Sequence, residues 1–268
     1  MKLKDDLEKV ITPTDLGEKL NGNDLAGKIQ QLLLPKAPPN CSWCCIGVKN
    51  IMAVGVGGDF FEFAPTHDGC QVVMVGDVTG HNVAAAVVMS LIYGYIHRSI
   101  EQKCSPLEVV QQVNRFLNKF GARSEKYDHL FSSTLFFGVI VPQTLEMHYV
   151  NAAHPSPLVR RDNRLFELEA SAPLLGFFPV GDDAVRSFHF EKNDRLFLYT
   201  DGISETTDLQ GEMYGSQRLK NQLQSHQGDQ DEFLDNLFVA LSQFNGSAPV
   251  RDDCTAVIID FNRPQPTA

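Results

Sequence analysis

The chain has 268 residues, 43% of them hydrophobic and 21% charged, enough to bury the core of one ordinary globular domain with an appended terminal segment. Its formal charge of −10 and the lack of a long basic block argue against a nucleic-acid partner, because affinity for a polyanion comes mainly from neutralising phosphates. The start, MKLKDDLEKV, has no apolar signal core, and the stretch VAAAVVMSLIY from Val83 is short for a bilayer span, so a cytoplasmic protein without a membrane partner is expected.

Residues 1–35 are polar and broken by Pro13, Gly17 and Gly22, and end in an amphipathic pattern that places Leu25, Ile29, Leu32 and Leu33 on one helical face. Asn23 or Asp24 is positioned to cap that helix; Pro35 stops it, and PKAPPN reads as a stiff linker. The expected organisation is therefore an N-terminal helical segment and linker over 1–36, a main domain over 37–262 and a frayed tail over 263–268. The apolar stripe suits either packing on the domain or a contact through residues 24–34 with a regulatory partner or a second copy.

After the linker, C-S-W-C-C at 41–45 lacks a second Cys or His pair at ligand spacing, so these thiols read as buried fillers rather than zinc ligands. Strand-like runs follow at about 43–54, 58–64 and 71–78, the last (QVVMVGDV) apolar enough to be buried on both faces. A long helix is expected from His81 to Gln102, and a second from the capping-box pattern at Ser105 to about Phe120, where Gly121 ends it. Strands recur at about 132–141, 145–151, 157–160, 164–168, 185–190 and 195–200; helices return at 215–225 and 230–244; a strand from Cys254 to Phe261 closes the domain. Many short strands with helices grouped in pairs point to an α+β architecture of antiparallel sheets covered by helices.

Acidic residues stand at the ends of four of these strands. Gly57-Gly58-Asp59 is a tight turn between two runs, which taken alone is ordinary turn chemistry. Asp77 ends a buried run, where an unpaired carboxylate is costly to desolvate; Thr79 or Asp77 itself could also cap the following helix. Asp201-Gly202 follows an apolar strand and in isolation reads as a hairpin turn. Asp252 and Asp253 are adjacent acids that repel unless Arg251 or a cation offsets them. Four acidic strand ends in one domain, without a matching set of Lys or Arg, suit oxygen coordination of Mg²⁺ or Mn²⁺ and not the softer ligand sets of zinc or copper.

The ordered segments IQQLLLP, VGGDFFEF, VGDVTGHNVAAAVVMS, SSTLFFGVIVPQTLEMHYVNAAHPSPLV, PLLGFFP, LFLYTDGISETTDLQGEMYG and DDCTAVIIDF resemble the SpoIIE-like (RsbU-type) bacterial branch of the metal-dependent type 2C serine/threonine phosphatases. The resemblance covers roughly residues 28 to 260. It implies an αββα sandwich with a binuclear centre at one sheet edge, held by Asp59, Asp77, the carbonyl of Val78, Asp201 and Asp252, with Gly58 and Gly202 beside it. Asp253 is expected behind the ligands or capping its strand. It further implies two divalent cations, Mn²⁺ or Mg²⁺, and hydrolysis of phosphoserine or phosphothreonine on a regulatory protein, typically a STAS-domain anti-sigma-factor antagonist. Paired cations supply a water nucleophile, so no side chain is assigned as nucleophile, Ser132 and Ser133 included. The chain departs from the family pattern at Glu62, Asn82 and Ala153, where Asp, Gly and Gly are usual. His81 and His154 read as structural. The competing expectations are a catalytically silent module that binds a phosphoprotein, which would require a lost carboxylate, and a nuclease, which the acidic charge disfavours.

Overall fold

A computed structural model describes residues 22–100 and 105–261. The tail at 263–268, Pro13, Gly17, Cys104 and the side chains of Asn23 and Asp24 lie outside the described residues.

In chain order the elements are α1 (Gly22–Leu33), β1 (Cys45–Ile51), β2 (Phe60–Pro65), β3 (Gln71–Val78), α2 (Val83–Ile100) and α3 (Pro106–Gly121). Then come β4 (Ser133–Val141), β5 (Glu146–Ala152), β6 (Leu158–Arg161), β7 (Arg164–Glu167), β8 (Arg186–His189), β9 (Arg195–Tyr199), α4 (Asp201–Ser204), α5 (Gly215–Ser225), α6 (Gln230–Phe244) and β10 (Cys254–Asp260). They form two antiparallel five-stranded sheets, ordered β1-β10-β9-β6-β7 and β2-β3-β4-β5-β8. The α2/α3 pair covers the second sheet and α5/α6 the first, so the layers run helix, sheet, sheet, helix. This is the αββα sandwich expected from the sequence.

Each sheet is sandwiched, which explains its composition. β10 is buried at every position, and β3 at all but Asp77. Such strands cannot show polar alternation because both of their faces meet apolar layers. One core fills the space between the sheets and under α2 and α3, with Phe60, Phe136, Phe137 and Met74 fully buried; a second lies under α5 and α6 around Phe197 and Phe233. Burial of this kind contributes on the order of 25 cal/mol per Å² of apolar surface.

Helix starts follow local chemistry, with one correction. The amide of Glu108 points to Ser105 Oγ at the head of α3, and that of Glu232 to Asp229 Oδ1 at the head of α6. The cap of α2 is neither Thr79 nor Asp77: Asn82 Oδ1 accepts from the amides of Ala84 (2.9 Å) and Ala85 (3.3 Å). The departure at Asn82 thus supplies a cap that glycine could not. α2 is long and apolar enough to cross a membrane by length and composition, yet half of it is buried inside the domain.

The stripe on α1 is not its packed face. Gly27, Gln30 and Leu34 are buried, while Ile29 and Leu33 are 47% and 39% exposed. Glycine at position 27 allows the close approach, since a Cβ there would strike the Gly55 carbonyl.

Candidate metal centre

The acidic strand ends meet at one edge of the sandwich, two segments from each sheet. Asp59 immediately precedes β2 and Asp77 lies near the end of β3, while Asp201 follows β9 and Asp252-Asp253 precede β10. Antiparallel pairing of β2 with β3 and of β9 with β10 is what returns each pair to the same edge.

Asp59 is fully buried, and its Oδ2 accepts from Thr200 Oγ1 (2.8 Å), just past the end of β9, and Thr255 Oγ1 (2.5 Å), on β10 of the opposite sheet. Burial, and the charges of Asp253 and Asp201, push its carboxyl up to about 8 against the pull of those two hydroxyls. Asp77 is pushed up to about 10, chiefly by burial and then by the charges of Asp59, Asp201, Asp252 and Asp253. Asp201 starts the single helical turn α4 and is raised by burial, Asp252 and Glu205. The expected Asp-Gly hairpin is therefore absent, and Gly202 is needed for a different reason: any side chain there would strike the Asp253 carbonyl.

Asp253 plays a bracing part. Its two oxygens accept from the amides of Ala53 (2.9 Å) and Gly58 (2.8 Å), tying β10 to the glycine turn. Burial raises it nonetheless. Asp252 is partly exposed and accepts the Asp253 amide through Oδ1 at 2.9 Å. None of the five carboxylates has an ion-pair partner among the described residues. Arg251, offered by the sequence as a neutralising charge, does not pair with them.

The donors fit a hard cation. Carboxylates that hold protons because they are buried, and because they repel one another, gain most from a shared positive charge. A cradle is also present: the point that a Gly58 Cβ would occupy is ringed by the Val78 carbonyl oxygen, Asp77 Oδ1 and the Gly80 carbonyl oxygen. Among the described residues no three His, Cys, Asp or Glu side chains close tightly enough to grip an ion as they stand, with Asp59 turned to its threonines and Asp253 to backbone amides.

The flanking histidines differ. His154 is buried, its Nδ1 pairs with Thr134 Oγ1 at 2.9 Å and its amide donates to Asn151 Oδ1; burial pushes the ring down to about 3, so it is neutral and structural as expected. His81 is exposed and makes no hydrogen bond among the described residues; it lines a cavity of about 310 Å³ that opens beside Asp252 and Gly202. Glu62 is buried on β2, where hydrogen bonds from His97, Tyr93 and the Phe63 amide outweigh the cost of burial and keep it below the usual carboxylate range. It clamps β2 to α2 behind the site.

Residues 67–262 match the model of the stage II sporulation protein E (SpoIIE) family. The chain belongs to the SpoIIE family. It is 27% identical over 259 residues to protein IcfG of Synechocystis sp., covering 88% of this chain but only 40% of that one. It is 23% identical over 239 residues to the phosphoserine phosphatase RsbU of Bacillus subtilis, covering 88% of this chain and 69% of RsbU. The SiaA-PP2C domain of Pseudomonas aeruginosa shares the fold with a TM-score of 0.78 at 21% identity, covering 93% of this chain and 98% of that domain. RsbX, solved in complex with magnesium, shares it with a TM-score of 0.61 at 13% identity, covering 83% and 97%. The SpoIIE-family chain accordingly shares its fold with PP2C domains and its sequence family with SpoIIE.

Proposed function

We propose that the chain hydrolyses phosphoserine or phosphothreonine on a regulatory protein in a metal-dependent reaction, with a STAS-domain anti-sigma-factor antagonist of a partner-switching pathway as the kind of substrate. The observation that carries the reading is the gathering of carboxylates from both sheets at one edge, raised by burial and mutual repulsion and without basic partners among the described residues. RsbU being a phosphoserine phosphatase and RsbX binding magnesium support the same chemistry.

Asp59, Asp77, the Val78 carbonyl, Asp201 and Asp252 would hold two divalent cations, Mn²⁺ or Mg²⁺. Bound there, the ions would bring the pKa of a water near neutrality and offset the charge that grows on the phosphoryl oxygens. The rest is the work of the protein. Thr200 and Thr255 hold Asp59 across the sheet interface, Asp253 fixes the Gly58 amide, and Gly58 keeps side-chain bulk out of the cradle. The half-exposed stripe on α1, within residues 24–34, serves as the contact for a regulatory partner or a second copy.

Incubation with p-nitrophenyl phosphate and a phosphoserine peptide, with and without Mn²⁺, tests the reading. Turnover that needs Mn²⁺ and disappears in Asp201→Ala supports it. A protein that binds the phosphopeptide in Mn²⁺ without turning over either substrate is instead a binding module.

A further inference from the structure

Beside the carboxylates, the cavity lined by Asp252 and Gly202 continues between the chain after α4 and the chain before β10. At about 310 Å³ it lies at the small end of ligand-binding sites. Three of its features bear on a ligand.

The first is Arg251. It is exposed, immediately precedes Asp252, lines the cavity and makes no hydrogen bond or ion pair among the described residues. A guanidinium beside a set of acids, yet paired with none of them, is free for an anion brought from outside. The second is Asn245, at the C-terminal end of α6. It is 7% exposed, its Nδ2 donates to the Ala248 carbonyl at 2.9 Å, and its Oδ1 is buried without a partner. A buried acceptor lacking a donor is costly and marks a place where a donor is expected. The third is the wall: Leu209 and Met213 are 78% and 53% exposed, and Val250 completes the apolar lining.

We infer that this cavity seats the polypeptide flanking the phosphoserine: Arg251 meets the phosphate, Asn245 Oδ1 accepts a backbone N–H of the substrate, and Leu209, Met213 and Val250 cover an apolar side chain next to the phosphorylated residue. Glu205 and Asp208 also line the cavity, so an acidic neighbour is disfavoured. The selected substrate class is thus a phosphoserine between apolar residues in an accessible segment of a protein. The inference rests on the phosphatase reading and adds a sequence preference to it.

The test compares three peptides with Leu, Gly or Glu on both sides of phosphoserine, assayed with the full Mn²⁺-loaded chain beside p-nitrophenyl phosphate. The Leu peptide should exceed the Gly peptide in kcat/KM by about tenfold, the scale of one buried aliphatic side chain, with the Glu peptide lowest. In Leu209→Ser/Met213→Ser, which alters only exposed positions, the Leu-to-Gly ratio should fall to about one. Arg251→Gln should raise KM for every peptide by about tenfold with a smaller change in kcat, and Arg251→Lys should recover part of the loss. Equal kcat/KM for the three peptides, or a Leu preference that survives the double substitution, overturns the inference while p-nitrophenyl phosphate turnover leaves the phosphatase reading intact. Absence of turnover on every substrate overturns both.

Discussion

Gln30 grips Gly57 in both directions: its Nε2 donates to the Gly57 carbonyl at 2.6 Å and its Oε1 accepts from the Gly57 amide at 3.0 Å. The next residue, Gly58, donates its amide to Asp253, and Asp59 follows. A side chain on α1 is thereby joined to the turn that aims a candidate metal ligand. Gln30→Ala strands two buried backbone groups and should cost about 1–3 kcal/mol in urea unfolding. It should also weaken Mn²⁺ half-saturation of p-nitrophenyl phosphate turnover by about 10–100-fold, the range for residues supporting a metal ligand. Lost stability with unchanged Mn²⁺ dependence would confine Gln30 to a packing role.

Replacing a proposed ligand should act more strongly. Asp77→Asn and Asp252→Asn are each expected to lower turnover by at least about 100-fold. Asp253→Asn, whose parent oxygens serve the Ala53 and Gly58 amides, should lower both activity and melting temperature. Steady-state kinetics beside differential scanning fluorimetry separates the two patterns.

The raised carboxyls also predict how metal and pH interact. A carboxyl held at about 8 or about 10 in the folded chain, as at Asp59 and Asp77, favours the folded state only while it keeps its proton. Above about 4 the unfolded chain ionises these groups freely, so metal-free stability should decline as pH rises from about 4 toward 8. Ionised carboxylates are what a cation binds. The gap in melting temperature between Mn²⁺-loaded and EDTA-treated protein should therefore widen from pH 6 to pH 9, and Asp59→Asn should flatten the decline.

Ala153 sits at φ 51° in the turn after β5. An L side chain in this left-handed region is strained by about 1 kcal/mol or more, of which the greater freedom of an unfolded glycine cancels part. Ala153→Gly should stabilise the protein by about 0.5–1 kcal/mol in chemical denaturation, without changing turnover.

The proposed contact through α1 is open to direct measurement. Leu25→Glu/Ile29→Glu adds charge to a half-exposed apolar face and should halve the sedimenting mass if that face joins two copies. An unchanged mass would leave a different partner for the stripe; the neighbouring α2 also exposes Val83, Val87 and Leu91.

Most elements were legible in the sequence because periodicity and turn residues are local properties. β3 and β10 announced themselves as unbroken apolar runs, and α3 by its capping box. The acids were legible for a similar reason, since a carboxylate at the mouth of a buried strand needs an explanation wherever it occurs. What escaped was short or distant. α4 is four residues long, too brief for a helical period, so Asp201-Gly202 read as a hairpin. Thr200 and Thr255 are 141 and 196 positions from the carboxylate they hold, and no local pattern links them to Asp59. The sequence left open which side of α1 packs, because a glycine and a glutamine form much of that side and hydrophobic patterning does not register a buried amide paired to backbone.

The grip of Thr200 and Thr255 on Asp59 makes the acidic edge a seam between the halves of the sandwich. Neither half owns the full set of acids, so a fragment that kept one sheet would be inert however well it folded. A slip of one sheet along the other would silence the chain while its helices and strands persisted. Loss of activity would then be an earlier sign of damage than loss of secondary structure.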